Sequence, residues 1–227
     1  MSWQMMGDIK VNQSEQVVSS GFTQHLLAEA LRYRPEDYPF VRGVCEGTMP
    51  REAVRSYAAE IATTTGSFLH FLAFILSRCD DLPARHLLLS NLLEEEGVVE
   101  FRSGNEMSVD PTRRHPLMAR QFAQAAGATE KDFSQPPVHS EWLTNELLAG
   151  RWIGPLAFIA IGYEANIPPT FHALLKGLRT HYGFQDDELT YLSEHVGADE
   201  RHSEHGAQVV ASAAKTIEDQ QEALKGV

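Results

Sequence analysis

The segment Tyr191 to His205, YLSEHVGADERHSEH, places His195, Asp199 and His202 at i, i+4 and i+7. At ~3.6 residues per helical turn, these three side chains fall within roughly 60° of one another. Two imidazoles and a carboxylate on one helical stripe make half of a transition-metal site, because Fe, Mn and Zn all accept these ligands. Asp199 lies between the histidines and is placed to bridge or cap an ion. Taken singly, each of the three reads most simply as decoration of a solvated face. Core packing has no use for all three polar groups in line. Glu200 and His205 fall roughly 140° and 80° from His195 around the same helix, which assigns both to the surface. Gly197 and Ala198 make local unwinding beside Asp199 cheap.

One helix cannot complete a metal site. Two other places put polar groups where a helix should bury carbon. Glu164 lies in PLAFIAIGYEANIP among Leu156, Ile159, Ile161 and Ile167. A buried, unpaired carboxylate is costly and takes up a proton or finds a cation. The simpler alternative is a helix end near Pro168 that leaves Glu164 at the surface. Glu94, Glu95 and Glu96 end a Leu-rich helix. Three adjacent acids cannot share one face, so at most one or two turn inward. His115 starts the next helix, an ordinary place for a histidine taken alone.

Helices must position these groups, because helical periodicity runs through nearly the whole chain. Residues 1–19 lack clear periodicity and are expected as a loose arm. GFTQHLLAEALRY repeats apolar positions at three and four. Pro50-Arg51-Glu52 opens a long helix through AVRSYAAEIATTTGSFLHFLAFILSRC, whose largely apolar circumference makes it central. DDLPARHLLLSNLLEEEG begins with an Asp cap and a Pro and stops at Gly97. Residues 98–114 read as a loop, or as a helix extension followed by one. HPLMARQFAQAAGA and SEWLTNELLAGRW are short helices. Pro168-Pro169 should kink or restart the helix that begins at GPLAF. Asp186 then opens a final helix carrying the histidine stripe to about residue 222. The class is all-α.

At 227 residues, with 43% hydrophobic content and no Gly/Ser/Pro-rich linker, the chain reads as one domain, a bundle over 20–222 behind the arm. No apolar run approaches a membrane span of ~18–20 residues. No basic and apolar leader opens the chain, which predicts a cytoplasmic protein. A net charge of −12 argues against nucleic acid and against an anionic membrane surface as partners. Cys45 and Cys79 form neither a disulfide framework nor a CxxC site, and read as small apolar packers.

Four segments together carry a resemblance: SRCDDLPARHLLLSNLLEEEG, RHPLMARQFAQAAGA, IGYEANIPPTFHALLKGLRTHYGF and YLSEHVGADERH. They resemble the haem-oxygenase-like diiron oxidases and oxygenases, in particular the branch named for the chlamydial protein associating with death domains. TenA thiaminases and the PqqC oxidase belong to the same superfamily. The resemblance implies a seven-helix bundle that binds two irons with three carboxylates and three histidines. Carried over residue by residue, it implies the ligands Glu95, His115, Glu164, His195, Asp199 and His202. Glu94 or Glu96 replaces Glu95 if the register slips by one. The stretch between Glu95 and His115 is much longer than the family's few residues, which implies a lid or an altered pocket mouth.

The resemblance also has departures. Members that form p-aminobenzoate consume a tyrosine and use a lysine near the metals, and this chain has Val41 and Leu174 at those positions. Tyr33, Tyr38 and Tyr163 are near in sequence but do not match. TenA-type hydrolysis needs a late cysteine, and none follows Cys79. PqqC-type oxidation uses no metal and leaves the histidine stripe unexplained. The implied function is therefore a dinuclear non-haem iron oxidase or oxygenase, with Mn or Zn as substitute metals. It would use O₂ to oxidise a small organic substrate (an amino acid, amine or fatty acid) by N-oxygenation or C–C cleavage, with no catalytic residue beyond the ligands. An external electron donor and a homodimer are further expectations. Phe68, Phe71, Phe74, Phe158 and Ile161 are candidate cavity liners, against their simpler reading as core. Readings from other classes are a helical binding or scaffold protein without turnover, a single-metal enzyme, and a TenA- or PqqC-like enzyme.

Overall fold

A computed structural model describes residues 13–101, 107–134 and 141–227, and the side chains of these residues except 13–20, 100 and 101. Chain order runs α1 (Gln13–Ala30), α2 (Pro39–Cys45), α3 (Arg51–Arg78), α4 (Leu82–Glu95), β1 (Val98–Phe101), β2 (Met107–Val109), α5 (His115–Ala125), α6 (Glu130–Phe133), α7 (Glu141–Leu148), α8 (Ile153–Ala157), α9 (Ile167–Gly177), α10 (Thr190–Ala213) and α11 (Ile217–Gly226). Seven long segments make the bundle: α1, α3, α4, α5, the α8–α9 run, α10 and α11. α10 packs against α1, α4, α5, α8 and α9, so the helix carrying the stripe is the central one.

Local chemistry sets the boundaries. Asp81 caps α4 by accepting a hydrogen bond from the Ala84 amide at 3.0 Å, with Pro83 in the first turn. Pro50 stands at the N-cap of α3, Glu52 follows in its first turn and Arg78 lies in its last, which complements the helix dipole at both ends. The restart expected at Pro168-Pro169 occurs. Between α8 and α9 the backbone widens to a π-helix over Phe158–Tyr163, then tightens to a 3-10 turn at Glu164–Asn166. α9 begins at Ile167, with the prolines in its first turn.

Several expectations are corrected. α1 reaches back to Gln13, into the segment expected as an arm, while residues 1–12 lie outside the described residues. The last helix is two. α10 ends at Ala213, and Thr216 opens α11 with a capping box closed by Asp219. Residues 98–114 contain an antiparallel hairpin, β1 against β2, and a 3-10 turn at Pro111–Arg113; 102–106 fall outside the described residues. α3 is long and apolar enough to cross a membrane by length and composition, contrary to the reading that no run approaches a span. Here it packs on α4, α5, α6 and α7. α10 runs unbroken past Gly197, and Cys45 is exposed while Cys79 is buried.

The apolar interior falls into two clusters. One gathers Leu26, Leu72, Ile75, Leu88 and Val210 around α1, α4, α8 and the later turns of α3 and α10. The other gathers Val44, Ala58, Phe122, Leu174 and Leu192 around α2, α5, α9 and the earlier turns of α3 and α10. Outside both clusters, eight buried polar residues among those described lie on α3, α4, α5, α10 and the turn after α8: Thr65, Asn91, Glu95, His115, Glu164, His195, Asp199 and Ser203.

Candidate metal centre

Glu95 and His115 are twenty positions apart, and the hairpin brings them together. α4 ends at Glu95 and turns at Gly97, whose φ is +76°. β1 leads out and β2 returns, so that the Asp110 amide donates to the Gly97 carbonyl at 2.9 Å. A Cβ on Gly97 would stand 2.5 Å from the Asp110 carbonyl oxygen, so the return fits only glycine. Beside this join Arg114 pairs with Glu96 at 2.7 Å. His115 then enters the interior with its Nδ1 2.8 Å from Oε1 of Glu95. The long insertion therefore keeps the two residues in contact.

The three adjacent acids have three different partners. Glu96 holds Arg114, Glu95 points inward to His115, and Oε2 of Glu94 lies 3.0 Å from Nε2 of His202. Ligand atoms of Glu95, His115 and His195 all lie within 4.8 Å of one another. Tyr191, one turn before His195, takes part through its carbonyl, which lies 2.7 Å from Nδ1 of His195. That bond fixes the proton on Nδ1 and leaves Nε2 with a free lone pair, the arrangement metal-binding histidines adopt. The Tyr191 hydroxyl in turn meets Thr65 at 2.9 Å.

Glu164 is delivered by the turn between the π-helix and α9. A Cβ on Gly206 would come within 2.8 Å of the Ala160 carbonyl oxygen, so α10 presses directly on the π-helical backbone. Asn166 secures the irregular turn by donating to the carbonyls of Gly162 at 2.8 Å and Ala30 at 2.9 Å. Asn91, on the inner face of α4, donates to Oε1 of Glu164 at 3.2 Å. Glu95, Glu164, His195 and Asp199 then surround a cavity of about 20 Å³. His202 stands at its edge, half-buried, with Nδ1 3.5 Å from Oδ1 of Asp199. All six residues singled out from the sequence thus form one cluster. His202 is the least committed of them, because both its ring nitrogens already face an acid.

Charge in the cluster is unbalanced. Burial, reinforced by Asp199, holds the Glu164 carboxyl well above the usual carboxylate range. Burial lowers His195, so it is neutral at pH 7. Burial also pulls His115 down, but Glu95, Glu94 and Asp199 outweigh it and raise the imidazole overall. Hydrogen bonds to Asp199 and Glu94 raise His202 to about 10. The more telling observation is geometric. Oε2 of Glu95, Nδ1 of His115, Oε2 of Glu164 and Oδ2 of Asp199 are buried with no hydrogen-bond partner. His115 sits close to Glu95 yet is not aligned to bond it. Among the described residues the one other such atom is Nε of Arg55. Buried polar groups ordinarily find partners, and four convergent donor atoms without them fit a cation. Carboxylate oxygen and imidazole nitrogen are donors that iron takes.

Next to the cluster lies a cavity of about 500 Å³. The two spaces share Thr64, Phe68, Tyr163 and Ile167 as walls. Of the expected liners Phe68, Phe71 and Phe158 face it; Ile161 is fully buried core and Phe74 packs on that core. Sequence reasoning missed Asn91, Tyr191, Glu94 as the partner of His202, and the cavity walls Tyr57 and Tyr163. A signal existed for the first two. Asn91 is one turn before Glu95 on a Leu-rich helix, and a buried amide needs a partner. Tyr191 precedes His195 by four on the same stripe.

A helical bundle with a carboxylate and histidine cluster at its centre, opening on an apolar cavity, is the plan of a small-molecule metalloenzyme. A family model described as iron-containing redox enzyme matches residues 55–227, and the chain belongs to this family. A 4-aminobenzoate synthase from Chlamydia muridarum is 29% identical over 197 residues, covering 82% of this chain and 76% of that one. Its counterpart from Chlamydia trachomatis serovar D is 30% identical over 169 residues, covering 70% and 65%. A TenA homolog from Pseudomonas syringae pv. tomato shares the fold with a TM-score of 0.66 over 94% of this chain and 86% of its own, at 11% identity. These findings agree with the branch and the fold that the sequence resembled.

Proposed function

We propose that the chain is a dinuclear iron oxidase or oxygenase that uses O₂ to oxidise a small organic substrate. The observation that carries this reading is the set of four buried donor atoms without hydrogen bonds, all on residues of one cluster beside an apolar cavity. Glu95, His115 and His195 would hold one iron and Glu164, Asp199 and His202 the other. Three carboxylates offset most of the charge of two ferrous ions. Iron held there would supply redox chemistry toward O₂, with an external donor to restore its electrons.

The protein's own part is positional. Tyr191 fixes the tautomer of His195, and Asn91 orients Glu164 so that its free oxygen faces inward. To hold an ion, His202 would exchange one acid partner for it and release a proton. Aromatic walls keep water from the reacting substrate, which strengthens every electrostatic interaction within.

The likeness to 4-aminobenzoate synthases raises the question whether this chain makes 4-aminobenzoate from one of its own tyrosines. Val41 and Leu174, at the positions of the consumed tyrosine and the lysine, are buried in the cluster around α2 and α9 and line neither cavity. No lysine is among the described residues lining either space. Both facts support an external substrate. Glu164→Ala and His202→Ala should each abolish O₂ consumption by the iron-loaded chain while leaving its helical circular dichroism nearly unchanged. A variant that consumes O₂ at the wild-type rate would remove its residue from the site.

A further inference from the structure

The 500 Å³ cavity has a polarity of its own, which the metal centre does not explain. Along α3 its walls are Tyr57, Glu60, Ile61, Thr64, Phe68 and Phe71. Thr64 and Phe68 are also walls of the space at the metal centre, so that centre meets the cavity partway along its length. Beyond Phe68 the lining turns apolar, with Phe71, Leu143 and Phe158. On the other side of Thr64, one helical turn or ~6 Å away along α3, is Glu60. It is the one charged side chain among the described residues lining the cavity. No described ion pair involves it, and no described lysine, arginine or histidine lines the space.

We propose that Glu60 selects the substrate as an amphipathic amine, whose ammonium group pairs with this carboxylate while its apolar tail lies along Phe71 and Phe158. The position oxidised is then the part of the molecule that passes Thr64. A carboxylate-headed molecule in the same pose would set like charges together, with no cation in the described lining to offset them. The inference rests on the oxygenase reading only for what happens at Thr64; the charge preference belongs to the cavity.

The test uses three matched probes: 4-phenylbutylamine, 4-phenylbutanol and 4-phenylbutyrate. Their binding to the full chain is measured by calorimetry under argon at pH 7 and low salt, with and without Fe(II). Without iron, the amine should bind the wild-type chain most tightly. Glu60→Gln should weaken the amine by roughly three- to fivefold, the size of an exposed ion pair, and leave the alcohol unchanged. Glu60→Lys should reverse the order of amine and carboxylate. Equal amine affinity in wild type and Glu60→Gln, or a carboxylate that binds wild type as tightly as the amine, overturns the proposal. Because the preference is read without iron, a chain that fails to bind iron but keeps it contradicts the diiron reading alone.

Discussion

In the metal centre, three of the four buried donor atoms without hydrogen bonds, on Glu95, Glu164 and Asp199, belong to walls of a space of about 20 Å³ and the fourth, on His115, lies against Glu95, whereas the cavity that meets this space is twenty-five times larger and walled mainly by aromatic and aliphatic groups. The two spaces share four walls, yet each has what the other lacks. The centre has ligands and no room for an organic molecule. The cavity has room and a single charge. On the proposed reading, the contrast teaches how one bundle would separate the chemistry of a metal from the choice of a substrate. The centre depends on groups fixed by helix spacing, a hairpin and backbone carbonyls. The cavity depends on volume and on the sign of one charge, and it can change without disturbing the ligands.

The sharpest way to break the contrast is to block the passage between the two spaces. Thr64→Trp fills the shared wall, and substrate-dependent O₂ consumption should fall on the order of 100-fold, as misplacement of a substrate does. Iron stoichiometry should stay at the wild-type value. Loss of iron together with turnover would show that the spaces are not separable.

The complementary disturbance acts on the centre alone. Gly97→Ala forces a side chain toward the Asp110 carbonyl at a positive φ, which loosens the return that seats His115. Iron affinity should fall by about tenfold, the lower end for groups that support metal ligands, with probe binding in the cavity unchanged. An unaltered affinity would mean that the hairpin does not hold His115 in place.

Proton release gives a third comparison. With its pKa raised to about 10, His202 is protonated at pH 7 in the metal-free chain and must lose that proton to bind an ion. The sign follows: affinity for Fe(II) rises with pH, by about tenfold per unit for each proton displaced, and the raised Glu164 and His115 act in the same direction as His202. His195, lowered by burial, adds nothing to that slope at neutral pH. A flat profile between pH 6 and pH 7 would leave His202 out of the coordination sphere. Probe binding should be flat over the same range.

The smallest expected effect concerns the cavity tyrosines. Tyr38 and Tyr163 line the cavity, and if the substrate is external neither is consumed. Tyr38→Phe should change the rate by less than about twofold, an exposed position making only a weak contribution. The intact mass of the wild-type chain should be the same before and after turnover. A mass loss corresponding to one tyrosine side chain would replace the external substrate with the chain itself.

Much of the centre could be read from the sequence where ligands share one element. His195, Asp199 and His202 are fixed by helical spacing, and Glu164 is marked by the apolar residues around it. The contact of Glu95 with His115 could not be read in that way, because it depends on a hairpin whose strands of three or four residues are too short for alternation to stand out. The same limit hid the break between α10 and α11. Thr216 and Asp219 spell a capping box, but the helical pattern continues across it. The π-helix before Glu164 left no mark, since it arises where Gly206 lets α10 press on the backbone at Ala160. The cavity was half legible: Phe68, Phe71 and Phe158 repeat at helical spacing whether they face a core or a space, and only packing distinguishes them from Phe74 and Ile161.

The central claim is that four unpartnered donor atoms mark a site for two irons. Its most direct test is an anaerobic Fe(II) titration of the metal-free chain, followed by rapid mixing with O₂ and observation by stopped-flow absorbance. The account predicts saturation near two irons per chain and a transient visible band whose decay a true substrate accelerates. No binding, or one iron and no reaction with O₂, would contradict it.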